Sequence, residues 1–396
     1  MKLGPIEAAP FGLYQRRYVM MESTPLYVGF PRLQNVSYPN NIHLSLGGLV
    51  EPLGFGSVIS DKKFCGLAQC SSPTLRRIPR PFKPFSIANA TAASSWAPGA
   101  LVAEQPLLKP LDNVLLTAAY YSPYYGGPTR EVFVGDGANL ENQGLIALLQ
   151  RDVRRIVMFI NSPIPLNDRN GYHPYLRPPL YDIDIDSSIT ALFGLYNLLP
   201  PFGMDFSHDQ VFHKRDFPRV VAALQDSQQE GRGAVAAVDL LTIENKWWGI
   251  AAGKKVHVVF AYLGRVYEWE SKLSNEVADV VAPHRLTKKS NLLPKDGLFK
   301  DFPHFSTTKL HFEASQANAL ADMSAWVVKR NLNIFKKALK PSWWELHEKA
   351  LEKGNVGGQN EEYSKYSLDW LEGKEENVVD IDEKLTESNV LKEKFR

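Results

Sequence analysis

The sequence predicts an α/β protein, and three observations carry that expectation. Glu131–Val134 is a short β-branched run that ends at a Gly-Asp-Gly breaker. Arg155–Ile160, RIVMFI, is apolar enough for a strand buried on both faces. Between them, Leu145, Ile146, Leu148 and Leu149 fit one face of a short helix over Glu141–Gln150. Strand, loop, helix and strand in that order predict a βαβ unit with parallel strands and a right-handed crossover. Asp136 then falls outside the carboxyl end of a buried strand, where open α/β sheets place ligands and catalysis. Gly135 and Gly137 let substrate or another loop come close to its carboxylate. An aspartate in that place also turns the chain or caps the helix, and the residues alone leave both roles open.

Upstream, Met1 to about Val50 is rich in Pro, Tyr and Asn and reads as loops and short strands such as Pro25–Phe30. His43-Leu44-Ser45-Leu46-Gly47 approaches the spacing of a nucleophile elbow. An elbow needs a helix directly behind its serine, so that free N–H groups help to hold an oxyanion. Gly47-Gly48 and Pro52 are poor helix-starting residues, which leaves Ser45 a weak nucleophile candidate and favours a turn serine. Between Phe85 and Val102 small residues dominate and predict a helix packed closely on a neighbour, with Ser94 and Ser95 as candidates to face a pocket.

Downstream, Asp182, Asp184 and Asp186 alternate with isoleucine. Alternation puts them on one face of an extended segment, where oxygen ligands could hold a cation. Without EF-hand spacing, a solvated strand face is the simpler reading. Phe217–Gln228 predicts an amphipathic helix, Gly233–Thr242 and Lys255–Tyr262 predict strands, and Arg265–Trp269 a further strand. His208 and His213 stand five apart, a spacing unlike that of helix-borne metal pairs. A helix is expected over Ser315–Asn331, and another in SWWELHEKALEK, capped by Ser342 with Glu345 in the capping-box position. Beyond Gly354 the Glu/Lys-rich chain reads as a disordered solvated tail.

Composition narrows the function classes. The 396 residues are 44% hydrophobic and 22% charged, with a formal charge of +2, so no nucleic-acid partner is expected. Cys65 and Cys70 match no zinc pattern and read as reduced thiols, which suits a cytoplasmic location. No run reaches the roughly 18–20 apolar residues of a membrane span, and the N-terminus has no signal-peptide core. Membrane contact is therefore expected to be peripheral, and the abundant aromatic residues leave it open.

With those residues laid out, the chain resembles the later half of a patatin-like or cytosolic phospholipase A2-like catalytic domain. Asp136-Gly137-Ala138 matches the D-G-A or D-G-G motif of that family. Asn139 to Leu145, which contains Glu141 and Asn142, resembles its D-G-G-x-x-E-N-x-G-L continuation. Val50–Ser57 resembles the family's aromatic-Gly-Ser segment, Ile87–Gly99 its alanine-rich helix, and Phe302–Thr308 its C-terminal end.

The resemblance implies a three-layer α/β fold with a central, mostly parallel sheet. It implies a Ser–Asp dyad acting on phospholipid or another acyl lipid, without cofactor or metal. Asp136 would be the base, in a loop supported by Gly135, Gly137, Ala138, Glu141 and Asn142. In such a dyad the carboxylate lies about 2.6–3.2 Å from the serine hydroxyl and takes its proton during attack on the ester. The family's G-x-S-x-G serine and Gly-rich oxyanion loop precede everything matched here, and the 396 residues contain neither. The chain is thus expected to lack the nucleophile-bearing part, to be nearly inactive alone, and to need an upstream half-domain or partner chain. Residues 1–340 are read as the partial catalytic domain and 341–396 as a helix plus charged tail. Two other readings stand beside this one: a catalytically inactive descendant that binds lipid or protein, and an unrelated α/β enzyme.

Overall fold

The computed structural model describes residues 19–38, 42–58, 80–81, 85–95, 117–122, 129–180, 182–195, 208–281, 297–306, 309 and 311–339. These form a mixed α/β structure in two compact units. The first draws on residues up to 154, 166–222 and 239–257; the second on 155–165, 223–238 and 258 onward. Cys65, Cys70 and residues 341–396 lie outside the described residues.

The first unit begins with an antiparallel sheet of β1 (Glu22–Ser23), β2 (Val28–Tyr38) and β3 (Ile42–Val50). Where the sequence reads as loops and short strands, the chain makes a long hairpin. Val28 and Phe30 point inward with Leu46 and Val50, and Phe55, Ala118 and Tyr120 complete this core. Pairing is tight at Gly29 (φ 147°), where a Cβ would stand 2.4 Å from the carbonyl oxygen of Gly48. Helix α1 (Ile87–Ser94) carries a capping box, in which Asn89 N–H donates to Ser86 Oγ and Ser86 N–H donates to Asn89 Oδ1. The close packing expected of this helix is not seen: Ala93 is its buried residue, Ile87 is 88% exposed, and Ser94 and Ser95 are exposed.

Strands β4 (Thr117–Tyr120) and β5 (Arg130–Phe133) pair antiparallel as a separate two-stranded sheet. The Tyr120 hydroxyl donates to Gly47 O and accepts from Gly47 N–H, at 2.9 and 3.0 Å. Helix α2 (Leu145–Gln150) leads to β6 (Arg155–Ile160). The expected βαβ unit is not formed, because β5 and β6 belong to different sheets. Exposed Arg130 and Glu131 suit β5 to a solvated antiparallel pair. In β6, by contrast, Ile156, Met158 and Ile160 are buried.

Next come helix α3 (Ser187–Ala191), helix α4 (Phe217–Gln229), and strands β7 (Ala234–Leu241) and β8 (Lys255–Tyr262). The third sheet has the order β6-β8-β7. Hydrogen bonds His257 N to Arg154 O and Leu263 N to Ile160 O advance together along the two chains, so β6 and β8 run parallel. Thr242 N to Lys254 O and Gly253 N to Thr242 O close an antiparallel hairpin between β7 and β8. The sheet is therefore small and mixed, in place of the expected mostly parallel one.

Arg265–Trp269 does not form the expected strand; helix α5 (Tyr267–Glu270) begins there. A buried ion pair spans the turn, Arg265 Nε to Glu270 Oε1 at 2.9 Å and Nη2 to Oε2 at 2.6 Å. An extended chain would hold these residues about 16 Å apart. Helices α6 (Asn275–Val281), α7 (Ala314–Arg330) and α8 (Leu332–Leu339) follow. Val266, Trp269, Phe299, Phe302 and Met323 form one core of the second unit, and Val235, Val259, Ala261, Phe335 and Ala338 another. His304 is buried there, its Nδ1 3.0 Å from Ser162 O. Burial pushes its pKa down, so the neutral ring donates from Nδ1 to that carbonyl.

Candidate functional site

The aspartate loop is built by local hydrogen bonds. From β5 the chain passes through Val134 and Gly135 into Asp136, which caps a short 3₁₀ turn over Gly137–Asn139. Asp136 Oδ1 accepts from Ala138 N–H at 2.9 Å. Gly137 O then accepts from Leu140 N–H and Glu141 N–H, at 2.9 and 3.0 Å. The capping role left open by the residues is thus present. The carboxylate remains half-buried. Beside it, a Cβ on Gly137 would meet nothing within 4 Å among the described residues.

Glu141 anchors the far side of the loop. Its side chain is 6% exposed, and Oε1 accepts from Gln143 N–H at 2.8 Å and Leu145 N–H at 3.3 Å. Oε2 is enclosed with no hydrogen-bond partner among the described residues. Burial pushes the Glu141 carboxyl above its ordinary range, against the opposing pull of the N–H groups at the start of α2. Gly144 enters α2 in the left-handed conformation (φ 70°), and Asn142 is exposed.

From this loop a chain of polar contacts leads to the 182–191 segment. Gln143 Nε2 donates to Ser188 Oγ at 2.8 Å, and Ser188 Oγ in turn donates to Asp186 Oδ1. Asp186 also caps α3 through Ser188 N–H, and Asp182 Oδ1 accepts from Ser187 N–H. The three alternating aspartates are therefore not a solvated strand face. Two are engaged by backbone at the start of a helix, and the third, Asp184, is buried against Arg177. The Asp-Ser-Ser sequence before an apolar turn is an N-cap signal that the alternation with isoleucine concealed.

The remaining sequence candidates separate. Ser45 lies inside β3 opposite Asn35, in a strand that continues to Val50, not on a strand-to-helix turn. His208 stacks on Trp247 with ring centroids 4.4 Å apart, while His213 stands just before the 3₁₀ turn Lys214–Asp216 and makes no side-chain capping bond to it. In the Val50–Ser57 segment Phe55 is buried, Ser57 Oγ donates to Gly54 O, and Thr129 at the entry to β5 donates to Ser57 O. Among the described residues no group of three His, Cys, Asp or Glu side chains could hold a metal ion. No helix among them is long and apolar enough to cross a membrane. Comparison with protein-family models, curated proteins and solved structures found no match to this chain.

Chemically, the loop offers a carboxylate oriented by backbone, beside a glycine face left open by the described residues. That arrangement suits a proton acceptor or a hydrogen-bond acceptor for a ligand hydroxyl.

Proposed function

We propose that this chain carries the general base of a lipid acyl-ester hydrolase, phospholipase- or lysophospholipase-like, with Asp136 as that base. The observation that supports the reading is the placement of Asp136: a half-buried carboxylate at a strand end, held by Ala138 N–H and flanked by Gly137, which no described residue crowds. A serine hydroxyl would attack the ester carbonyl while Asp136 takes its proton. Asp136 would then return that proton to the departing alkoxide, leaving an acyl-serine for water to cleave in the same way. Glu141 would hold the loop and take no part in proton transfer. In this reading the serine and its oxyanion donors come from an upstream half-domain or a partner chain. The protein is read as cytoplasmic and able to meet membranes peripherally.

The transcript upstream of Met1 is expected to encode a Gly-rich loop and a G-x-S-x-G serine. Protein carrying both should react with a fluorophosphonate probe and hydrolyse a fluorogenic phospholipid. Asp136→Asn should then lower turnover by about a hundredfold to ten-thousandfold. Full turnover in Asp136→Asn would overturn the assignment of the base. Ser45 inside a strand is what both this reading and a second one expect, the second being an inactive descendant that binds lipid or protein. An upstream sequence without an elbow, together with absent labelling, would select it.

A further inference from the structure

Asn170-Gly171 is the single Asn-Gly pair in the 396 residues, and it stands on a turn whose residues Asp168, Arg169, Asn170 and Gly171 are all exposed. The pairing has a chemical consequence. An asparagine side-chain carbonyl lies within five-membered-ring reach of the next backbone nitrogen, and a glycine there has no side chain to hinder the approach.

The turn engages that nitrogen twice. Gly171 N–H donates to Asp168 O at 3.1 Å and to Asp168 Oδ1 at 3.0 Å. Asn170 N–H also donates to Asp168 Oδ1, at 3.1 Å, and Tyr172 N–H to Asp168 O, at 2.8 Å. The Asp168 side chain thus copies a backbone turn and keeps the Gly171 N–H directed at itself. A carboxylate accepting that hydrogen bond holds the nitrogen in the turn and away from the Asn170 side chain. Beyond the turn, Tyr172 is buried, and Gly171 O accepts from Arg177 Nη2 at 3.2 Å. The same Arg177 nitrogen donates to Asp184 Oδ1, at 3.0 Å.

We propose that Asn170 is a site of spontaneous modification, converted through a succinimide to isoaspartate and aspartate, with Asp168 setting the rate by holding the Gly171 N–H. When the turn opens, the Gly171 nitrogen gives its proton to solvent and bonds to Asn170 Cγ. The bond from Cγ to the side-chain nitrogen breaks, and ammonia leaves. Water then adds to either ring carbonyl, giving aspartate from one opening and isoaspartate from the other. Water is the only co-reactant, and nothing is oxidised or reduced. Both products place a new negative charge beside Asp168. Isoaspartate also lengthens the main chain just before Gly171, which moves the Gly171 carbonyl off Arg177 and loosens the tie to Asp184.

The test is ageing of the full chain in mildly alkaline buffer, followed by peptide mapping and by methyl labelling with an isoaspartyl methyltransferase. Wild-type protein should convert at Asn170 ahead of every other asparagine. Asp168→Ala should convert at least about tenfold faster, the factor that one lost hydrogen bond to a charged group is worth. Asp168→Asn keeps an acceptor oxygen and should fall between the two. Gly171→Ala should convert more slowly, and it fits the fold, since a Cβ there stands 3.5 Å from its nearest described neighbour, the Asn167 side chain. Thermal melts of fresh protein identical to wild type would show that the variants fold. Should Asp168→Ala melt early, Asp168→Asn against wild type makes the same comparison. Conversion led by another asparagine, or absent from Asn170 in wild type and Asp168→Ala alike, would overturn the site. Equal rates in wild type and in both Asp168 variants would overturn the restraint by Asp168.

Discussion

Two buried carboxyl groups in the first unit show opposite ways of keeping an acid away from water. Asp184 is met by a guanidinium, a side-chain amide and a backbone N–H. Burial works against its ionisation, yet these donors win and hold its pKa below the ordinary carboxylate range. Glu141 has backbone N–H groups on one oxygen and no hydrogen-bond partner among the described residues on the other, and burial wins, pushing its pKa up. Two carboxyl groups nearly closed to solvent thus have contrary outcomes: burial weighs most on Glu141, while at Asp184 the Arg177 guanidinium leads the donors that outweigh it. Asp184 ties Asn167, Arg177 and Leu180 together. Glu141 sits where ionisation costs stability, close to the proposed catalytic loop.

The contrast can be broken most forcefully at Asp184. Asp184→Asn should destabilise the protein by about 2–3 kcal/mol at neutral pH, the worth of losing charged hydrogen bonds in a buried place. Equilibrium urea unfolding measures it. A carboxyl whose folded pKa lies below its unfolded value of about 3.9 stabilises above that value. The contribution fades as pH falls through the folded pKa, so wild type and Asp184→Asn should converge in acid. A constant difference down to the lowest pH at which the protein stays folded would sink this account.

Glu141→Gln should have the smaller effect and the opposite sign. Its raised folded pKa means that ionisation costs stability at neutral pH, and that the cost disappears as pH falls through the folded pKa. The neutral amide should therefore stabilise by up to about 1 kcal/mol at neutral pH, with the gain shrinking on acidification. Clear destabilisation at neutral pH would show that the backbone donors, not burial, dominate at Glu141. The smallest effect is expected at Gly137→Ala, where no described residue comes within 4 Å of the new methyl group. Stability should stay within about 0.5 kcal/mol. If Asp136 meets a substrate across that face, activity should fall while the melting curve does not move.

The parts legible in the sequence are those with a strong period or a continuous apolar run. RIVMFI, KVHVVFAY and the helices α4 and α7 fall within a residue or two of where the pattern puts them. The β2–β3 hairpin was hidden because its inward residues Val28, Phe30, Leu46 and Val50 are interrupted by a register shift between Phe30 and Gln34 and by paired glycines. At the candidate site, the breaker glycines announce the turn at Asp136, but no local pattern tells that Glu141 folds back onto Leu145 N–H. Asp184 was misjudged because its partner Arg177 stands in an irregular loop, where no periodicity links the two. Partner choice there depends on loop closure, a property of the folded chain.

One feature of the third sheet bears on how the protein is made. In the order β6-β8-β7, β6 pairs with β8, which leaves the ribosome about a hundred residues later, and its Phe159 stacks on Phe335 from the end of the described chain. At roughly 5–20 residues per second, β6 waits on the order of ten seconds for its partner and longer for α8. During that interval RIVMFI is an apolar strand with open edges, the kind of segment that chaperones hold and that otherwise finds a second nascent chain.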